Sequence, residues 1–473
     1  MRGFLGLLGA ALLAGCTVGP DYKRPADAVI DAPTAQGNFV SGNEKVFVNE
    51  PPPGPWWRLY RDPALDDFVR QTLKANTDLR VAAATIARTQ AGLDLAKEAQ
   101  YPSTSLEFEP SYTRLSPQEQ LVPFDIPPLF LYGLGGGLSY QVDLFGQIKR
   151  AIESSEADVG AARAAYDTVR ITVVADTIRA YVQACSAGRE ISIAEQSAAL
   201  QTNSTELNQR LFKAGRAISI DVTRAAALED QVRSTIPGLT AQKRVALYRL
   251  AVLTGRPPSE FAQSVARCDQ EPKLAKPIPI GDGAALLARR PDVRRAELEL
   301  HAATARLGIV TADLYPKISF GVSAASIGPF NDIFNYDTLK YSIGPLISWE
   351  FPNQRSTEAR IRAAHADIDA AYARFDGTVL AALQEVESAL TVYARDLDGR
   401  ALLASSRDHA ASAAEDADTL FRAGRQNYLT VLDANRTLLS ADQSLAAADT
   451  RLAVDQVNLF LALGGGWDVS DDA

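Results

Sequence analysis

Leu13-Ala14-Gly15-Cys16 carries the clearest chemistry in the chain: an apolar residue, two small residues, then a thiol of the kind that accepts a diacylglyceryl group in a bacterial lipobox. Arg2 supplies a minimal positive start and residues 4–13 a short apolar run, so this is a secretory signal with Cys16 as the first mature residue. At ~0.8 kcal/mol per buried methylene, two acyl chains give stable anchoring where one would be marginal. Thr17, not aspartate, follows the cysteine, which favours the outer membrane. Other reactive groupings are scarce. There is no His-Glu-x-x-His string for zinc, no Gly-x-Ser-x-Gly elbow and no P-loop, so an enzyme is not expected. His301, His365 and His409 lie far apart in helical patterns and read as surface residues. Met1 is the only methionine, which weakens a thioether path for copper or silver. No metal is expected, and no cofactor beyond the lipid on Cys16.

Composition sets further bounds. The 473 residues are 47% hydrophobic and 22% charged, too apolar for a wholly disordered chain. A net charge of -9 without a basic run argues against nucleic acid. Cys185 and Cys268 remain; two cysteines in so long an exported chain are not a disulfide framework, and they are expected to stay unpaired. Beyond the signal no apolar run approaches the ~20 residues of a spanning helix, so any crossing must use strands.

The elements that carry these residues come in duplicate. Leu211-Phe212-Lys213-Ala214-Gly215-Arg216 returns as Leu420-Phe421-Arg422-Ala423-Gly424-Arg425, and Gly255 is matched by Gly464 at the same offset. Upstream, Asn76-Thr77-Asp78 faces Arg290-Pro291-Asp292, and Tyr101-Pro102 faces Tyr315-Pro316. The reading is a signal peptide (1–15), a lipidated extended arm (16–61), a first repeat (62–266), a connector (267–281), a second repeat (282–466) and a short tail (467–473). The arm is rich in proline and ends at Trp56-Trp57, expected to dock on the body. Proline is absent from 129–236 and from 353 onward, which favours very long helices over 147–213 and 355–422. At 1.5 Å per residue each would reach about 100 Å. Helices at 217–255 and 427–463 return after each Ala-Gly-Arg turn, the first with an expected kink at Pro237. Leu65, Phe68, Val69, Thr72 and Leu73 open a helix expected to run to about Gln100.

Each repeat also holds one non-helical hairpin, at 101–144 and 315–351. Leu106 and Phe108 alternate with Ser105, Glu107 and Glu109, and Leu138, Tyr140 and Val142 alternate likewise. The strands have about the ~9–11 residues that a tilted membrane strand needs. Four strands cannot close a barrel, so several chains would have to share one, unless the hairpins are soluble ends of a rod.

With these elements placed, the mature chain resembles the TolC-type outer-membrane channels of tripartite efflux pumps, in their OprM-like and NodT-like lipoprotein branch. The resemblance rests on Cys16-Thr17-Val18-Gly19-Pro20-Asp21-Tyr22, Trp56-Trp57, Tyr315-Pro316, Tyr428-Leu429-Thr430-Val431-Leu432-Asp433-Ala434 and Leu463-Gly464-Gly465-Gly466-Trp467. It implies a mixed fold: a helical-hairpin α-barrel continuous with a 12-stranded trimeric β-barrel, four strands per chain, built from two tandem repeats. It implies a homotrimer in outer-membrane lipid, a periplasmic adaptor protein and an inner-membrane transporter of the RND type. It places constricting acids at Asp221 and Asp433, an apolar constriction at Leu429, and an arginine able to pair with acids at Arg436. The turns at Gly215, Arg216, Gly424 and Arg425 become adaptor-docking surfaces. The alternative is a lipid-anchored periplasmic coiled-coil scaffold without a pore. The cargo stays open.

Overall fold

The computed structural model describes residues 17–118, 121, 123–125, 127–274, 277–333, 335–351 and 354–465. Its main elements are α1 (Pro63–Ala75), α2 (Thr77–Glu98), β1 (Ser103–Thr113), β2 (Leu129–Val142), α3 (Gln147–Lys213), α4 (Ser219–Arg233), α5 (Thr235–Leu253), α6 (Pro291–Ala312), β3 (Lys317–Pro329), β4 (Leu339–Ser348), α7 (Gln354–Arg422) and α8 (Tyr428–Ala462). Cys16, Gly466 and Trp467 lie outside the described residues. The chain divides into two compact units. One comprises the described residues to Pro25 with Thr85–Arg163 and Arg295–Phe375; the other comprises Ala26–Ala84, Ala164–Arg294 and the chain from Asp376.

In the first unit the strands form one antiparallel sheet in the order β1-β2-β3-β4. Its register pairs Phe108 with Leu134, Tyr140 with Phe320 and Val322 with Ile343. The two hairpins therefore join along β2 and β3, leaving β1 and β4 as edges. The arm fastens to the same unit. Gly19 and Gly308 face each other so closely that a Cβ on Gly19 would sit 2.6 Å from the Gly308 Cα. Buried Arg150 donates to the carbonyls of Val18 and Gly19 and pairs with Asp21 at 2.8 Å and Glu153 at 2.7 Å. His301 is not a plain surface residue: its ring stacks on Tyr22 at 4.5 Å and its Nε2 lies 3.0 Å from a Glu153 carboxylate oxygen.

In the second unit the core gathers Trp56, Tyr60, Val174, Ile178, Leu250, Leu390, Val457 and Phe460. The two tryptophans of the arm do dock: Trp56 is buried and stacks on Phe460 with ring centroids 4.5 Å apart. Tyr60 donates to Gln456, whose amide donates to Tyr393, so these buried polar groups are partnered.

Three further sequence expectations change on contact with the structure. The first helix does not run unbroken to Gln100; it stops at Asn76, whose Oδ1 accepts from the amides of Asp78 and Leu79 and starts α2. The break in the returning helix falls at Ser234, three residues before Pro237. Proline clashes with the carbonyl one turn back, so the disturbance lies upstream of it, where Ser234 and Thr235 hydroxyls cover the carbonyls of Gln231 and Val232. Finally, Cys185 and Cys268 are paired, with Cα atoms 4.8 Å apart. Sequence separation hid this, because the connector folds back over α3 where Gly188 presents no side chain.

Candidate functional site

The two Ala-Gly-Arg turns are built alike. In the first, the amide of Gly215 donates to Phe212 and that of Arg216 to Leu211; in the second, Gly424 donates to Phe421 and Arg425 to Leu420. Both patterns are Schellman caps, which need a left-handed residue, and the two glycines have φ of +70° and +69°. A Cβ at either would meet nothing within 4 Å, so conformation and not space demands glycine. Arg216 and Arg425 are exposed, and among the described residues neither forms an ion pair. These turns are open and cationic.

After the turns the helices restart differently. Asn427 caps α8 through its side chain, whereas Ile218 precedes α4 without a side-chain cap. Asp221 sits in the first turn of α4, half-buried, where a carboxylate also favours the positive helix end. Leu429, Asp433 and Arg436 lie on α8 at i, i+4 and i+7 and are all exposed, one stripe along one face. The opposite face seats Tyr428, Val431 and Leu432 against Ala198, Ala225, Leu228 and Val232. The Tyr428 hydroxyl shares a 3.0 Å hydrogen bond with that of Ser204. The structure thus brings Leu429, Asp433 and Arg436 together, with Asp221 on the other hairpin. Asp433 and Arg436 form no ion pair with each other within the chain, among the described residues. Sequence reasoning passed over Ile220, the fifth residue after Gly215 as Leu429 is after Gly424; the two are 47% and 48% exposed. The duplication itself was the signal that could have found it.

Further along α8, Asp455 faces Asp396 of α7. Burial, followed by the hydrogen bond and negative charge of Asp396, pushes the Asp455 carboxyl up to about 6, while Arg451 opposes the shift.

The sheet is the second feature that asks for a function. Its register gathers Leu106, Phe108, Phe130, Leu134, Leu138, Tyr140, Ile318, Phe320, Val322, Tyr341, Ile343 and Ile347 on one face. The other face is mainly polar or small, with Ser103, Ser105, Glu107, Glu109, Gly135, Ser139, Gln141, Ser319, Ser323, Lys340 and Ser342, and also carries the large apolar residues Leu131, Ile327 and Leu346. The apolar face is open: Tyr341 is 86% exposed, Leu106 80% and Ile343 68%. A contiguous exposed patch of this kind marks an interaction surface. At the strand ends Phe145 stacks on Tyr315 at 4.5 Å, and the Trp349 indole donates to the Leu314 carbonyl. No helix among the described residues is long and apolar enough to cross a membrane, and no group of three or more His, Cys, Asp or Glu is placed to hold a metal.

Comparison with known proteins agrees with this geometry. The chain is 28% identical over 464 residues to Nodulation protein T of Rhizobium leguminosarum bv. trifolii, covering 97% of this chain and 96% of that one. It is 28% identical over 484 residues to Outer membrane protein OprJ of Pseudomonas aeruginosa, covering 98% and 96%. The solved outer-membrane channel OprN superposes with a TM-score of 0.87 at 33% identity, covering 96% of this chain and all of that one. A model of the outer membrane efflux protein matches residues 68–256 and 284–465, one match in each repeat. By that double match, the chain belongs to the outer membrane efflux protein family.

Proposed function

We propose that the chain is the outer-membrane exit duct of a tripartite efflux system, a passive conduit from periplasm to exterior. The observation that carries this reading is the sheet: one mainly apolar face, one mainly polar face and two unpaired edges. In hydrocarbon no edge can stay unpaired, so the sheet is complete only when closed with further copies. Three copies give twelve strands, apolar outward to lipid and polar inward to water. A periplasmic scaffold without a pore has no use for such a face. Relatives named as efflux-pump outer-membrane proteins, such as the solvent efflux protein SrpC of Pseudomonas putida, support the same reading. They are channel proteins, not enzymes.

The finer assignments follow from this one. Lipid on Cys16 anchors the arm, and the energy comes from an inner-membrane transporter of the RND type reached through an adaptor. The glycine-capped turns at Gly215-Arg216 and Gly424-Arg425 are the adaptor-docking surface. Three copies of Asp433 and Asp221 form acidic rings beside the apolar ring of Leu429, and Arg436 supplies the countercharge that limits their repulsion. The test is single-channel recording of purified, heat-modifiable trimers in planar bilayers. Asp433→Ala together with Arg436→Ala is expected to raise conductance. Unchanged conductance removes these residues from the gate, and a monomer without pore activity removes the duct.

A further inference from the structure

The two returning helices start in the same register. α4 begins at Ser219, four residues past Gly215, and α8 at Tyr428, four past Gly424. Carried along both helices, that register sets Ile220 against Leu429, Arg224 against Asp433 and Ala227 against Arg436. The duplicated halves thus hold a base in one hairpin where the other holds an acid.

Helix phase brings the matched residues to one side. On α4 the residue after each member of the row turns inward: Asp221 is half-buried, and Ala225 and Leu228 are buried. On α8 it is the residue before that does so, with Tyr428 and Leu432 buried. Tyr428 and Leu432 pack in one cluster with Ala225 and Leu228, and farther on Leu228 and Val232 share a cleft with Leu438 and Leu439, so the two helices run parallel. The touching face lies clockwise of one row and anticlockwise of the other, and parallel helices joined in that way present both rows to the same side.

The charges on that side have no partner within the chain. Among the described residues Arg224, half-buried, forms no ion pair, not even with Asp221 three residues before it, and exposed Asp433 forms none either. Arg436 lies one turn beyond Asp433, opposite uncharged Ala227. On these two helices Arg224 is therefore the cation at the height of the Asp433 carboxylate.

We propose that Arg224 is the countercharge that closes the mouth at the level of Asp433. This deepens the reading of the chain as an outer-membrane exit duct and rests on it. In three assembled copies Arg224 and Asp433 alternate around one level, with Ile220 and Leu429 alternating one turn nearer the glycine turns. Each guanidinium offers a planar fork to the carboxylates on either side. Such a pair is worth little while exposed; once the apolar level excludes water beside it, it holds the mouth shut. Without Arg224 the level is a ring of uncompensated carboxylates, which repel one another and favour cations.

The test uses full-length protein, verified as heat-modifiable trimers, in planar bilayers. Arg224→Gln keeps a polar side chain and removes the charge. It is expected to raise the open probability by on the order of tenfold, since three ion pairs are lost together, and to move the reversal potential in a salt gradient toward cation preference. Arg224→Asp is expected to open the channel further. Arg224→Asp with Asp433→Arg exchanges the partners and is expected to return both readings to those of the parent. Where the exchanged variant does not assemble, Arg224→Gln decides alone. Unchanged gating and selectivity in Arg224→Gln overturn the proposal and leave the duct intact, as does an exchanged variant that assembles yet stays as open as Arg224→Asp. Parent trimers without channel activity overturn the duct reading instead.

Discussion

Arg290 donates from Nη1 to the carbonyl of Ala462 at 3.0 Å, and Asn76 makes the equivalent bond to Leu253 at 3.2 Å. In each repeat the residue at the first helix break thus latches the last turn of the returning helix, through different chemistry. The arginine is the more demanding version, because it is also paired with Asp292 at 2.5 Å and Glu385 at 2.7 Å. Arg290→Lys keeps the charge but loses the fork that serves three acceptors at once. Thermal unfolding followed by circular dichroism in detergent is expected to show a loss of roughly 2–4 kcal/mol. A loss below 0.5 kcal/mol would show that the latch is incidental.

Two helix-ending glycines separate conformational cost from steric cost. Gly215 has φ +70° and open space, whereas Gly255 has φ +72° and a Cβ there would lie 2.7 Å from the Ala75 carbonyl oxygen. Gly215→Ala is expected to cost about 1 kcal/mol for the left-handed backbone alone. Gly255→Ala adds an overlap with main chain and is expected to cost about 2–4 kcal/mol. Equal unfolding temperatures for the two variants would contradict the geometry.

The Asp455–Asp396 pair gives a pH dependence. With its folded value raised to about 6 from 3.8, Asp455 binds its proton more tightly in the folded chain than in the unfolded one. Its contribution is therefore fully present below pH ~4 and is lost as pH rises through about 6. Asp455→Asn removes that loss. After discounting for partial exposure, the variant should exceed the parent by about 1 kcal/mol at pH 8 and by less at each step down to pH 5. A constant difference across this range would assign the effect to packing.

Adjacent residues of β4 test the two faces of the sheet. Ile343 belongs to the apolar face and Ser342 to the polar one. Ile343→Lys is expected to cost about 2–4 kcal/mol if it falls near mid-membrane, and to reduce the outer-membrane fraction in cell fractionation. Ser342→Lys should leave that fraction unchanged. Equal fractions for both variants would remove the lipid-facing assignment.

Much of this was legible because the signals were local or repeated. Proline exclusion marked α3 and α7, which run 67 and 69 residues, and period-two alternation marked all four strands. The duplicated hexapeptide located both turns before any coordinates. What stayed hidden depended on where distant segments cross. Nothing near Cys185 announces that residue 268 returns to it, and the bare backbone of Gly188 looks like any helical glycine. Asn76 was half legible: its cap on the amides of Asp78 and Leu79 is a local signal, whereas its bond to the Leu253 carbonyl far along the chain is not. Asp221, Leu429, Asp433 and Arg436 could be named from a motif, but that three of them share one exposed stripe needed helix phase as well as spacing.

The greasy side of the sheet sets a schedule as well as a destination. Between export and assembly, a newly arrived chain carries ragged strand edges and bare tyrosines that would adhere to any other unfinished polypeptide. On the proposed closure with further copies, yield is governed by how quickly those copies meet at the bilayer.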